Sequence, residues 1–395
     1  MRTALIVGAG IGGLAAGIAL RQTGWRVRIF ERAANPRELG FALNLAPNAM
    51  AALDALGLAE TLRETAHRTV HGEIRRPDGR PLKRFSLPAD FAAHPPMVAL
   101  RQAVHGALLA ATPSEDLVLG CPVTGFDVTA SGVALRWSGE SSGESSGDSP
   151  DESPDDVAGT AIGELLVGAD GIGSAIRRTL HPQEGPVRAA GLTAIRGVAR
   201  GAGDVLGELS AAVYFGGGCE AATARASADA IYWFACTKTS ALPEAVRGGG
   251  DAVAVRAAFL DRLAPAFGAI AGASAADEMR VDTLGDRDPI ASWGAGPVTL
   301  LGDAAHPMLP QTGQGAAQAL EDAVALGRAL ADATDVPAAL REYERVRARK
   351  TAAVVRRGRR IAAMLTTDSA VLDAVRATLI RSIPARVIAA AFLRG

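Results

Sequence analysis

Apolar residues along this chain follow two textures, and the change from one to the other divides it. Residues 4–7, "ALIV", form an unbroken apolar run of the length of a buried parallel strand, and residues 14–22 carry a helical period. Residues 27–30 predict a second strand, which ends at the acidic Glu31. From Arg188 to about Asp277 the runs shorten and alternate. "LTAIRGVAR", "LSAAVYFGG", "ATARASADA" and "AIYWFACT" read as antiparallel strands, followed by a helix over residues 253–264. The α/β pattern returns with a strand at residues 298–301 and a long amphipathic helix after Gly315. "GVALRW" alternates Val133, Leu135 and Trp137, and "ELLVGAD" resumes at Glu164, which predicts a hairpin with a lengthened loop. From Pro337 onward the period is helical and rich in arginine, as in a packed closing helix with a solvated basic face. No internal repeat is visible.

At 395 residues two domains are the natural expectation. Charge refines the picture in one place. Residues 138–156, "SGESSGESSGDSPDESPDD", hold seven acids and no base, which predicts a flexible acidic loop. Setting those seven aside from the 42 acids leaves 41 bases against 35 acids, a mildly basic body suited to an anionic dinucleotide. Bases interleaved with aromatics are absent, so nucleic acid is not an expected partner. Cys121, Cys219 and Cys236 lack CxxC or metal-like spacing, which suggests a reducing compartment, no disulfide framework and no metal. No apolar run is long enough to cross a bilayer, so integral membrane association is not expected. The first strand begins at once, without signal-peptide character, and the expected location is cytoplasmic.

Gly8, Gly10 and Gly13 lie between the first strand and the first helix. In that context Gly8 permits a tight turn, Gly10 lets the backbone approach a pyrophosphate, and Gly13 lets helix and strand pack closely. The helix N-terminus offers N–H groups and partial positive charge to phosphates, and Glu31 can accept from an adenosine ribose. NAD, NADP and FAD all share that ADP half. The choice comes from "VTLLGDAAHPMLPQTGQGAAQALEDA", where a buried strand ends in Gly302-Asp303, and Gly313-Gln314-Gly315 opens a helix. A carboxylate past the end of a parallel strand suits a polyol chain. A helix N-terminus beside it suits negative charge on a ring. A ribityl chain leading to an isoalloxazine meets both demands, so the expected cofactor is FAD.

A third element, "LLVGADGIGSAIRR", repeats strand, Gly-x-Asp170-Gly and helix start, and alone is equally consistent with a plain turn. The three motifs in this order, with "NLAPNAMAALDALGL", "LRQAVHGALL" and "DRDPI" between them, resemble the single-component FAD-dependent aromatic hydroxylases of the p-hydroxybenzoate and salicylate hydroxylase type. The resemblance covers nearly the whole chain. It implies an α/β fold: a Rossmann-like FAD-binding domain at 1–75, 97–185 and 278–336, an inserted antiparallel β-sheet substrate domain at 76–96 and 186–277, and a helical segment at 337–395. It implies cofactor contacts from Gly8, Gly10, Gly12, Gly13, Leu14, Glu31 and Arg32 in the first motif. Further contacts are implied from Arg101, from the backbone of Val123, from Asp170, and from Gly302, Asp303, Pro310, Gly313, Gly315 and Ala316. It also implies NADH or NADPH as a transient co-substrate, O2, and oxygen transfer from a flavin C4a-hydroperoxide to a small aromatic or polycyclic substrate. The protein is then a monomer or homodimer. One departure stands out: many relatives have Gly-Ala-Gly where this chain has Gly40-Phe41-Ala42, so Phe41 would crowd the flavin or the pocket.

Substrate-binding candidates are Arg196, a charge inside an apolar strand, with Tyr214, Phe234 and Pro310; Trp233 is a weaker one. The competing readings are a solvated arginine and plain sheet core. His306 reads as a structural histidine of the turn rather than a general base. An epoxidase or other oxygenase of an alkene or polyketide-like substrate would use the same scaffold, and a non-catalytic flavin-binding module is a remote alternative. Flavin halogenases carry Trp-x-Trp-x-Ile-Pro, and Trp25, Trp137, Trp233 and Trp293 nowhere lie two apart.

Overall fold

The computed structural model describes residues 1–36, 41–87, 93–130, 132–138, 159–247 and 251–393. The predicted acidic loop lies outside these residues except for Ser138, as does Gly40. The unbroken apolar run becomes β1 (Thr3–Val7), the centre of a five-stranded parallel sheet. Its order is β18 (Val298–Leu300), β12 (Leu165–Gly168), β1, β2 (Arg26–Phe30) and β8 (Leu117–Val118). Strands covered on both faces need apolar side chains throughout, and Leu5, Ile6, Leu165, Leu166, Val298 and Leu300 have no exposed surface. Helix α1 (Ile11–Gln22) follows β1. Helix α4 (Arg101–Ala110) packs on it, α3 (Ala59–Thr65) packs on α4 and α2 (Pro47–Ala55) on α3, and α5 (Ala175–Leu180) follows β12. Two three-stranded antiparallel sheets flank this unit: β9 (Val123–Thr129), β10 (Gly132–Trp137) and β11 (Gly159–Gly163); and β3 (Ala42–Leu45), β7 (Met97–Leu100) and β4 (His67–Arg68). The hairpin partner of β10 is thus β11. The "LLVG" run that was expected to pair with it is β12 of the parallel sheet.

The alternating texture builds a seven-stranded sheet. Its order is β17 (Met279–Asp286), β13 (Arg188–Arg200), β16 (Ala230–Lys238), β15 (Cys219–Arg225), β14 (Ala211–Gly216), β5 (His71–Arg75) and β6 (Pro81–Ser86). All pairs are antiparallel except β14 with β5. It therefore takes in residues 71–75 and 279–286, which the sequence division had placed with the nucleotide-binding part. Strand pairing over long range decides that boundary, and local composition does not reveal it. One face carries Tyr214, Trp233, Ile195 and Ala235 against α6 (Ala252–Leu260) and α7 (Pro265–Gly272). The helix expected over 253–264 ends at Leu260, and Pro265 starts a second one.

The opposite face carries Leu192, Ala194, Phe234 and Cys236 against Leu309 and Ala362. Ala362 belongs to α9 (Val336–Leu365), which follows α8 (Gly315–Leu330). Helices α10 (Ala370–Ser382) and α11 (Ala385–Leu393) complete the C-terminal cover. No helix among the described residues is long and apolar enough to cross a membrane.

Candidate active site

Helices α1 and α8 lie side by side and parallel. A Cβ on Gly12 would meet Ala319, and one turned out from Gly327 would meet Ala19, so both helices run the same way with their N-termini about one turn apart. Both starts follow a strand of the parallel sheet, and neither carries a side-chain cap or an acid in its first turn. Two partial positive charges therefore converge at the carboxyl edge of the sheet, where open α/β folds place ligands.

The first turn is built by the glycines. Gly8 takes φ +103° and donates its N–H to Phe30 O at 2.8 Å. A side chain on Gly13 would collide with the Gly8 carbonyl oxygen, whereas nothing lies within 4 Å of the position a Gly10 side chain would fill. Gly13 packs, and Gly10 opens onto free space. Gly12 belongs to the packing group as well, since its Cβ would meet Leu301 Cδ2 at 2.7 Å. Leu14 is wholly buried and its N–H bonds Gly10 O at 3.0 Å, so it has no polar group to offer a cofactor. Glu31 clamps the turn: Oε2 accepts from Ala9 N at 2.8 Å and Oε1 from Ala33 N at 3.0 Å. The β9 edge reaches the same corner, because Cys121 N donates to Glu31 O, which brings Val123 near it. Arg32 is exposed beside them. Asp170 is turned back on its own loop. Its carboxylate accepts from Ser174 Oγ at 2.5 Å and Ala175 N at 2.7 Å, at the start of α5. The structure thus gives Asp170 to the turn.

The second helix start meets Asp303. A Gly315 Cβ would lie 3.9 Å from Asp303 Oδ1, and Gly313 takes φ +64° where the turn Pro310–Thr312 gives way to α8. Among the described residues the Asp303 carboxylate accepts no hydrogen bond. It is open to solvent, although many protein atoms surround it. Those surroundings raise its pKa, with His306 and Arg101 pulling it back. Beneath it, buried Asp322 of α8 accepts from Gly302 N at 3.0 Å, from Arg347 Nε at 2.6 Å, and pairs with His306 Nε2 at 2.5 Å. His306 is the structural histidine expected. Buried Asn48 Oδ1 and Thr312 Oγ1, near the same helix start, have no partner among the described residues. Uncapped N–H groups, an unsatisfied carboxylate and orphaned polar atoms fit a large polar ligand laid along this edge.

Across from Pro310 stands the inner face of the seven-stranded sheet. Arg196 and Phe234 are register partners on that face. Arg196 Nη2 lies 2.8 Å from Asp282, its guanidinium rests over the Phe41 ring at 5.6 Å, and its Nε is buried without a partner among the described residues. The Phe41 carbonyl also accepts from Arg101 N at 2.5 Å, so Phe41 joins the two arginine segments. Tyr214 is a different case. It points through the opposite face, edge-on to Phe267 at 5.6 Å, and is sheet core. Trp233, bonded to Ser274 Oγ at 2.7 Å, is core too. Sequence reasoning missed Tyr232, Glu220, Asp282 and Gln311, which share the inner side. Tyr232 was findable, because it has the same parity as Phe234.

A family model described as an FAD binding domain matches residues 1–123 and 151–358. The chain belongs to this FAD-binding family. It is 35% identical over 353 residues to aurachin C monooxygenase/isomerase of Stigmatella aurantiaca, spanning 87% of this chain and 85% of the relative. It is 34% identical over 363 residues to 3-hydroxybenzoate 6-hydroxylase 1 of Aquipseudomonas alcaligenes, spanning 89% and 86%. The structure of Klebsiella pneumoniae HpxO complexed with FAD and uric acid superposes with a TM-score of 0.85 at 25% identity, covering 99% of this chain and 96% of that one. This flavoprotein is thus an enzyme of the single-component aromatic hydroxylase group, a monooxygenase with FAD as its cofactor.

Proposed function

We propose that this flavoprotein hydroxylates a small phenolic or polycyclic aromatic substrate, with NADH or NADPH as a visiting reductant and O2 as oxygen donor. The observation that carries the reading is the open Asp303 carboxylate between two convergent helix N-termini, facing a sheet that presents Arg196. The first-turn N–H groups of α1 bind the pyrophosphate across the gap at Gly10. Glu31, already holding the turn, keeps a lone pair on each oxygen for the ribose. Asp303 accepts from the ribityl hydroxyls, and the start of α8 stabilises negative charge on the ring beside Pro310. Arg101, Arg32 and the Val123 backbone complete the cofactor contacts. Bound FAD supplies the redox chemistry and the activation of O2.

The chain's own part is to orient the ring and exclude water. Arg196 Nε donates to an oxygen of the substrate, held in place by Asp282 and Phe41, and Phe234 forms the apolar wall. A panel of phenols, aromatic acids and polycyclic ketones, scored by NAD(P)H consumption and product mass under isotope-labelled O2, tests this. The expected product gains one oxygen atom carrying the label. Consumption without labelled product across the panel, or an added oxygen that lacks the label, would defeat the reading.

A further inference from the structure

The middle of the seven-stranded sheet is closed on one face and open on the other. On β14 and β15, Ala212, Ala221 and Thr223 point toward α6 and α7 and have no exposed surface. Ala211, Val213, Ala222 and Ala224 point the other way and are only half-buried. Two cross-strand rows run over this inner face. Arg196, Phe234, Ala222 and Val213 stand in one, and Tyr232, Ala224, Ala211 and Gly72 in the next. Apolar cover reaches the face in three separate clusters: Phe234 with Leu309 and Ala362, Phe85 and Phe215 with Leu365, and Val198 with Val98 and Leu100. Among the described residues Ala222 joins none of them. Large side chains close the two ends. Phe234 and Tyr232 stand on β16, and a Cβ on Gly72 of β5 would collide with the Phe85 ring. Strands β16 and β5 are three spacings apart, about 14 Å. In these two rows nothing larger than Val213 lies between them.

Two further observations point to a ligand in this trough. At the Phe85 end, Asn44, Gly72, Phe85, Leu87, Ala211 and Val213 are among the residues lining a cavity of about 50 Å³. A Cβ on Gly313 would lie 3.4 Å from Asn44 Cβ, so the cavity adjoins the turn before α8. Two residues along β15 from Ala222, on the same face, Glu220 is only 6% exposed, yet its Oε2 has no partner among the described residues. Arg196 Nε, at the β13 end of the row, is in the same state. A face closed by protein alone pairs such groups, and a polar aromatic molecule would bring both a donor and an acceptor. We propose that Ala222 and Ala211 determine specificity: the trough they floor takes a substrate of two fused aromatic rings, the second ring lying over the alanines. This rests on the reading that the inner face of the sheet holds the substrate. A single ring is barely longer than one strand spacing and would leave the trough half empty. Two fused rings span it once the thickness of the end side chains is taken off.

The test measures binding to the purified holoprotein by calorimetry, with pairs of probes that carry the same polar groups. Salicylate is set against 3-hydroxy-2-naphthoate, and phenol against 2-naphthol. The fused member of at least one pair should bind about tenfold more tightly than its partner, the order of gain when a pocket accepts added apolar carbon. Ala222→Leu fills the floor and should erase that advantage. Ala211→Leu, in the neighbouring row, should do the same, and it carries the test if the first variant fails to fold. Arg196→Ala should weaken both members of the pair. No advantage for either fused probe, or an advantage that survives the leucine variants, overturns the trough. Binding of both members that ignores Arg196→Ala defeats the placing of substrate at Arg196 instead, whatever the leucine variants do.

Discussion

Asp303 owes its place to the end of β18, and among the described residues its carboxylate accepts no hydrogen bond. A hydrogen bond to a charged group contributes about 1.5–3 kcal/mol. Asp303→Ala should therefore weaken FAD binding roughly 10- to 150-fold, measured as retention through dialysis, with Asp303→Asn intermediate. Unchanged retention would remove Asp303 from the ribityl role. Arg196 is judged by a different constant. Arg196→Ala should raise the apparent substrate constant while FAD content stays normal, and Arg196→Lys should rescue poorly, because the buried, unpaired Nε belongs to a planar fork that lysine lacks. Normal kinetics for the alanine variant with an active substrate would return Arg196 to a structural pairing with Asp282. The places of both residues in the fold were legible in the sequence for physical reasons: one follows the end of a buried parallel strand, the other is a charge inside an apolar one. Tyr214 was not. Sheet alternation separates Tyr214 and Trp233 from Phe234, but only the cover on each face tells which parity looks toward the cofactor.

At the scale of elements, the glycines of the first turn divide into those that pack and those that face the ligand. Gly13→Ala drives a methyl into the Gly8 carbonyl and should leave little folded protein. Gly10→Ala meets no protein atom and keeps an ordinary extended φ of −74°, so it should fold and melt near the wild-type temperature. Its methyl would stand where the pyrophosphate approaches, and the purified protein should be pale, with a small flavin-to-protein absorbance ratio. A fully yellow Gly10→Ala would show that the phosphates lie elsewhere. The strand–turn–helix of this motif was readable because all of its determinants lie within one local stretch. The same locality explains the failures. The pairing of β10 with β11, and of β5 and β17 with the large sheet, depends on partners up to more than a hundred residues away. The turn-locking roles of Glu31 and Asp170 appear only once backbone N–H groups are placed.

The whole molecule is tied together along α9. Near its start, Arg347 enters the nucleotide-binding half, bonding Asp322 at 2.6 Å and Glu321 at 2.5 Å. Farther along, Arg359 meets Asp286 at the edge of the large sheet at 2.8 Å, where Arg188 of β13 bonds the same carboxylate. One helix thus ties the parallel-sheet part to the seven-stranded sheet, the two parts that flank the proposed site. Asp322 is the tighter knot, fully buried and shared by Gly302 N, His306 and Arg347. Removing one partner of a buried ionic cluster costs about 3–5 kcal/mol, so Asp322→Asn should lower the melting temperature clearly at neutral pH. Burial alone would push the Asp322 pKa up, but the His306 and Arg347 charges outweigh it and hold it below the ordinary carboxylate value. A depressed folded pKa stabilises the protein above the unfolded value and loses that contribution as pH falls through the folded one. The gap in melting temperature between the wild type and Asp322→Asn should therefore narrow on acidification, starting in the ordinary aspartate range near pH 4. Glu321 and Asp286, also depressed, titrate in both proteins and cancel in the comparison. A gap that stays constant into acid would mean that the Asp322 charge does not hold α9 to the flavin edge, and that shape alone does.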